Sequence, residues 1–367
     1  MEGGSATIEL DGKNAGTFKP EVNYHVQSLL QHAATDAATG YGTALSPETR
    51  EKMRTIHDGG FQSADGRRSN VYNFAFHCRG GFRPEKNDGP GPSYVLAPQT
   101  SKFKLRIRSL DRDFLGFVLE TIMSRETVEV GNNKLTVEDG YLEAVPTPPY
   151  SRDEDGYLTL FTVSAVSVHT TLSDLEARAL REAGAQSSQM PVKEAVKASG
   201  TDAAKVRAFR ERHGRLQNSG SQGHYDNGEG GQTVYYSPVL DSGEFSRRVV
   251  ANAIRKYALY SERDAEDSGD FAGGLDPKHY AVIPDPGARE PRRVRRTYKG
   301  GYRIEGYEGR FITDLPDEVV HTLYLTGIGT KSSQGFGMFA LADGASAAES
   351  AAVSGKARTG EKGVLRG

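Results

Sequence analysis

The 367-residue chain is short of cysteine, of net charge and of long apolar runs. Its one cysteine, Cys78, excludes an intramolecular disulfide and any multi-cysteine zinc site. Lys and Arg total 46 against 48 Asp and Glu, a formal charge of −2, so total charge points to no polyanionic partner. No window approaches the ~18 apolar residues of a membrane-spanning helix, and the opening MEGGSATIEL has no signal-peptide apolar region. The expectation is a soluble, cytoplasmic protein of a reducing compartment with no membrane partner. Glycine is plentiful instead, 43 of 367 residues, above the usual ~7 %. A hydrophobic fraction of 36 % still supports a core, and the length favours two domains.

Hydrophobic spacing gives the organisation. Thr7–Leu10 reads as a strand, and Val22, Val26, Leu29, Ala33 and Ala37 form one apolar stripe of a helix that ends at Gly40. Ser46-Pro47 starts a second helix, broken at Asp58-Gly59-Gly60. Val71–Cys78 and Lys102–Ile107 alternate as strands, separated by a Gly/Pro loop at 80–92. Asp111 caps a helix bearing Phe114, Val118 and Ile122, and Gly131-Asn132-Asn133 turns a hairpin. Strand, helices, two strands, helix, strand is the ferredoxin-like βαββαβ order.

The same plan then recurs in stretched form. A strand is expected over Leu158–Val168, a helix over Glu244–Ser261, and strands over Lys278–Ile283, Arg292–Ile304 and Phe336–Ala340, with a short helix near Pro316–Leu325. The fold class is α+β, two tandem ferredoxin-like domains. Residues 1–146 form the first, 147–156 a linker, and 157–342 the second, with an insertion at about 172–232 and a glycine-rich loop at 327–337. The low-complexity residues 343–367 form a tail.

Three features carry chemistry. In GIGTKSSQGFGMF, four glycines (Gly327, Gly329, Gly335, Gly337) within eleven residues allow positive φ and close approach to a ligand. Lys331, Ser332 and Ser333 between them can donate to phosphate oxygens. Neither the dinucleotide fingerprint nor the P-loop fits, and a plain glycine turn entering an edge strand is the simpler alternative. Second, Arg292, Arg293, Arg295, Arg296 and Lys299 make both faces of a strand basic, which suits an exposed ribbon rather than a core strand. From Asp285 to Arg310 there are eight basic and four acidic residues, with Tyr298, Tyr302 and Tyr307 able to stack on bases. Lys102, Lys104, Arg106 and Arg108 alternate on one face of another strand. Such cations also occur on edge strands simply to deter aggregation.

Third, nine histidines show no HExxH or other metal spacing, so no metal and no cofactor is expected. His57 ends a helix and opens the loop IHDGGF, with Arg67-Arg68 following. An imidazole beside guanidinium groups suits metal-free RNA cleavage: the base deprotonates a ribose 2′-OH while cations hold the phosphate charge. A solvated loop histidine is the plain alternative.

Taken in order, NYHVQSLLQHAA, IHDGGF…YNFAF, FKLRIRSLDRDFLGFVLETIM, VEVGNNKLTVE, YYSPVLDSGEFSRRVVANAIRKYALY, YKGGYRIEGYEGRF and the glycine loop resemble the CRISPR-associated protein 6 endoribonucleases. These belong to the repeat-associated RNA-binding superfamily. The resemblance covers most of the chain except 172–232 and the tail. It implies cleavage of precursor CRISPR RNA within its repeats, leaving a 2′,3′-cyclic phosphate and a 5′-OH. It also implies His57 as the catalytic residue, Arg67 or Arg68 at the position of a family lysine, and Tyr41 as the tyrosine within reach. Lys102, Lys104, Arg106, the 292–299 cations and Gly327, Gly329, Lys331, Ser332, Gly335 and Gly337 are then the RNA-binding set. The partners implied are precursor and mature guide RNA and other subunits of an interference complex. A non-catalytic RNA-binding subunit of such a complex is the alternative reading, and an enzyme of small phosphorylated ligands a weaker third.

Overall fold

The computed structural model describes residues 3–39, 61–62, 68–69, 71–87, 92, 94–171, 233–240, 242–261, 275–298 and 303–342. The expected second helix at 46–57, the insertion at 172–232 and the tail at 343–367 lie outside these residues.

The first half opens with β1 (Gly4–Asp11) and α1 (Val22–Thr39), whose Val22, Val26, Leu29, Leu30, Ala33 and Ala34 are buried as the apolar spacing requires. Two-residue strands β2 (Phe61–Gln62) and β3 (Arg68–Ser69) pair with each other. Then come β4 (Tyr72–Cys78), β5 (Phe82–Lys86), β6 (Tyr94–Pro98) and β7 (Lys102–Ser109). Helix α2 (Arg112–Met123) follows, capped as expected by Asp111, whose carboxylate accepts the Phe114 amide at 2.9 Å. β8 (Thr127–Val130) and β9 (Asn133–Glu143) close the unit.

The sheet runs β4-β7-β1-β9-β8, with every adjacent pair antiparallel. On β7, Phe103, Leu105 and Ile107 turn inward and the basic residues turn to the other face, because side chains alternate along a strand.

The loop expected at 80–92 instead contains β5, which pairs with β6 to make a hairpin. Its anchor is Phe82, whose ring lies 5.5 Å from Phe18, itself 5.4 Å from Phe103. Aromatic partners distant in sequence order a segment whose local glycines and prolines read as irregular.

In the second half, β10 (Leu158–Thr162), β11 (His169–Thr171), β12 (Thr233–Tyr235), α3 (Ser242–Ser261), β13 (Val282–Pro284), β14 (Arg292–Thr297), β15 (Arg303–Glu308), β16 (Arg310–Thr313), α4 (Asp317–Thr326) and β17 (Phe339–Leu341) follow. Their sheet is β13-β16-β10-β17. In both sheets the first strand of the motif sits between the third and the fourth, so the ferredoxin-like arrangement occurs twice. The strand expected at 278–283 is shorter, because Pro277–His279 forms a 3₁₀ turn capped by Asp276. The strand expected over 292–304 is instead β14, which pairs antiparallel with β15 in a two-stranded sheet apart from the two main ones.

The halves are joined through α4 and the loop behind it. Arg108 of β7 is buried, donates to the Phe339 carbonyl and stacks 3.7 Å above the Tyr324 ring. Residues 146–152 are pinned to α4 as well: the Tyr150 amide donates to Asp317 at 2.9 Å, and Arg152 pairs with the same carboxylate.

Candidate nucleic-acid interface

Helix α4 stops at Gly327, whose φ of +82° no side-chain-bearing residue adopts readily. The chain then winds through Gly329 (φ +77°), Lys331 (+63°), Gly335 (+81°) and Gly337 (+77°) into β17, with a 3₁₀ turn at Ser332–Gln334. Each glycine faces protein. A Cβ at Gly329 would lie 2.6 Å from the Ser167 carbonyl oxygen, and one at Gly335 would lie 2.7 Å from the Asn23 amide and 2.9 Å from the Phe74 ring. Gly327 abuts Asn73, and Gly337 abuts the Ile328 carbonyl. Their freedom is used to fold the loop onto its own molecule and onto α1 and β4. Half-exposed Thr330, Lys331, Ser333 and Gln334 are left as its outer rim.

Beneath the loop lies a lysine inside an apolar stripe. Val249, Ala253, Lys256 and Tyr260 share the buried face of α3. Lys256 Nζ donates to the Gly327 carbonyl at 2.6 Å, Ser332 Oγ at 2.9 Å and the Gly329 carbonyl at 3.4 Å. Asn252, its amide oriented by its neighbours, adds a 2.8 Å bond to Gly329 O. A lysine where the period demands an apolar residue is the signal in the sequence that could have marked this position.

Burial, then the Arg255 charge, lowers Lys256 from its ordinary 10.5 to about 7. Unfolded, it keeps its proton to about 10.5, so above pH 7 the folded protein binds fewer protons and this site's contribution to stability grows with pH. Urea denaturation between pH 7 and 9 should show wild type gaining on Lys256→Met by about 1 kcal/mol per pH unit. Parallel profiles would contradict this.

The two basic stripes are present, and both carry counterions. On β7, Lys102 reaches Asp11 at 3.2 Å and also Glu138, while Lys104 reaches Glu9 at 3.0 Å. On the β14–β15 ribbon, Glu308 takes Arg292 and Arg296, and Glu305 takes Arg293 and Arg295. Five arginines against two glutamates still leave the described ribbon strongly positive. Of the four arginines of β14, Arg292 is the most open, its side chain 76 % exposed. Lys299 lies outside the described residues.

The stripes come from different halves of the chain and converge at His77 on β4. Burial first, then the charges of Arg106 and Arg296, depresses His77 to about 4. Its imidazole is therefore neutral near pH 7 and packs at the junction. Tyr94 of β6 and Thr297 of β14 bridge the same junction, hydroxyl to hydroxyl at 3.1 Å.

The catalytic candidates are placed differently. His57, Tyr41 and Arg67 lie outside the described residues, and Arg68 is described only as backbone of β3. At the start of α1, Asn23 donates to the Gln334 carbonyl of the glycine loop at 3.2 Å. Among the described residues no three His, Cys, Asp or Glu side chains group as metal ligands, and no helix is long and apolar enough to cross a membrane.

Two ferredoxin-like units, with a glycine loop between the last helix and the last strand, define the α+β architecture of the chain. Residues 222–341 match the family described as CRISPR associated protein Cas6, C-terminal. Solved structures that the chain resembles include an RAMP protein binding different RNA substrates, 14 % identical with a TM-score of 0.53 over 92 % of this chain and 99 % of that one. A CRISPR associated protein Cas6 is 14 % identical with a TM-score of 0.52, covering 93 % and 99 %. A Cas6-related protein from Pyrococcus furiosus is 14 % identical with a TM-score of 0.53, covering 94 % and 100 %. No curated protein matches. The C-terminal third of the chain is thus similar to the Cas6 family of CRISPR-associated proteins, and the fold as a whole is similar to these solved structures.

Proposed function

We propose that the protein binds precursor CRISPR RNA within its repeats and cleaves it without a metal ion to release guide RNAs. The observation carrying the binding half is the convergence of two basic strands, one from each half of the chain, at the Arg106–His77–Arg296 junction. Such a surface suits a phosphate backbone, with hairpin shape and single-stranded flanks completing recognition. Near-neutral total charge does not oppose this reading, because the acid sits elsewhere: Arg152–Asp155 holds three carboxylates in four residues.

For the chemistry, His57 takes the proton of the 2′-OH at the scissile nucleotide. The 2′-oxygen then bonds to the adjacent phosphorus as the bond to the 5′-oxygen breaks, and that oxygen leaves as a 5′-OH once protonated. Arg67 and Arg68 offset the charge that develops on the phosphoryl oxygens, and Tyr41 orients the reacting group. The match of residues 222–341 to the Cas6 C-terminal family and the resemblance of the IHDGGF stretch in the sequence support these roles.

Binding to a repeat hairpin, measured across a salt series, tests the interface. Affinity should fall steeply with salt, and Lys331→Ala should reduce the log–log slope by about 0.7–0.9 while weakening binding. A flat salt response would remove the basic stripes from recognition. Tight binding without cleavage by wild type would favour a non-catalytic RNA-binding subunit.

A further inference from the structure

His169 opens β11, beside the rim of the glycine loop. Thr330 has one hydroxyl proton, and it is directed to the Ser167 carbonyl at 2.9 Å. The 2.7 Å contact between Thr330 Oγ1 and His169 Nδ1 therefore has the imidazole as donor and the hydroxyl as acceptor. That assigns the ring hydrogen to Nδ1 and the lone pair to Nε2. The Tyr235 ring packs against the imidazole at 5.6 Å, and the Tyr235 hydroxyl donates to the Arg303 carbonyl at 3.2 Å, tying the histidine to the basic ribbon. Burial, and then the charges of Lys331 and Arg248, pushes the imidazole down to about 3 and keeps it neutral. Arg248 is itself held in place, 4.5 Å over the Tyr236 ring and with its Nε on Glu244 at 2.7 Å.

His169 thus presents an acceptor in the field of two cations. A phosphate alone would satisfy the cations and leave the lone pair without a donor. A ribose 2′-OH beside its 3′-phosphate supplies both groups, and a deoxyribose does not. We propose that His169 is a ribose-sensing residue, Nε2 accepting the hydrogen bond of one 2′-OH while Lys331 and Arg248 take the neighbouring phosphate. This rests on the reading that repeat RNA binds this face. The role is in selecting RNA, and no bond is made or broken here.

The test uses the full chain and a repeat RNA whose scissile nucleotide is 2′-deoxy, so that binding is read without cleavage. Each other nucleotide is then changed to 2′-deoxy in turn, with wild type and with His169→Ala. One position should weaken wild-type binding about fivefold and weaken His169→Ala binding less than about twofold. His169→Gln, which returns a side-chain acceptor, should recover part of that sensitivity. Identical scans for wild type and His169→Ala would overturn the proposal. If the alanine variant loses its fold, a wild-type scan without a sensitive nucleotide overturns it equally. A wild type that binds no repeat RNA would instead remove the reading on which the proposal rests.

Discussion

Replacing His57 by alanine is expected to slow single-turnover cleavage of a repeat RNA by at least about a hundredfold, the usual worth of a positioned acid–base group. Affinity for the uncleaved RNA should change little, because the proposed contacts come from the β7 stripe, the β14–β15 ribbon and the loop rim. His57 is not among those contacts. The two effects separate chemistry from binding. An unchanged cleavage rate would remove His57 from the mechanism. A loss of affinity equal to the loss of rate would make it a binding residue.

The second large effect concerns folding. A methyl group at Gly337 would overlap the Ile328 carbonyl oxygen, and φ there is +77°. Neither backbone can yield easily, since the Gly337 amide donates to Ala165 O at 2.8 Å and the Ile328 amide to Gly337 O at 2.8 Å. Gly337→Ala should therefore cost about 3 kcal/mol or more, strain and overlap acting together. Gly116, inside α2, has nothing within 4 Å of an added Cβ. Gly116→Ala should stabilise by about 0.5–1 kcal/mol through the lower entropy of the unfolded chain. Chemical denaturation of both variants checks the contrast, and similar effects would contradict the packing given to the loop.

Local signals carried much of the architecture. The apolar stripe from Val22 to Ala33, the Asp111 cap and the alternation of Phe103, Leu105 and Ile107 each depend on neighbours a few residues away, and each element formed close to where it was expected. The ribbon was legible for the same reason, since basic residues on both faces of Arg292–Arg296 cannot enter a core.

What escaped depends on distant partners. The hairpin of β5 and β6 exists because Phe82 finds Phe18 and Phe103. The carboxylates on the β7 stripe come from β1 and β9, and only strand register brings Glu9 opposite Lys104. Lys256 stood in an apolar stripe without an evident partner, because its acceptors lie 71 to 76 residues away. His169 and Thr330 are 161 residues apart, so the tautomer that gives His169 its acceptor was beyond any local pattern. The glycine loop was recognised as a motif, but its glycines turn toward protein, and the rim residues are the part available to a ligand.

The central claim is metal-independent cleavage through an internal 2′-OH. Its most direct test is incubation of the full chain with its repeat RNA in EDTA, with end-group analysis of the products. A matched RNA that is 2′-deoxy only at the scissile nucleotide serves as control. The account predicts a single cut leaving a 2′,3′-cyclic phosphate and a 5′-OH, and no cut in the deoxy control. Cleavage of the deoxy RNA, or activity that EDTA abolishes and added divalent metal restores, would contradict it.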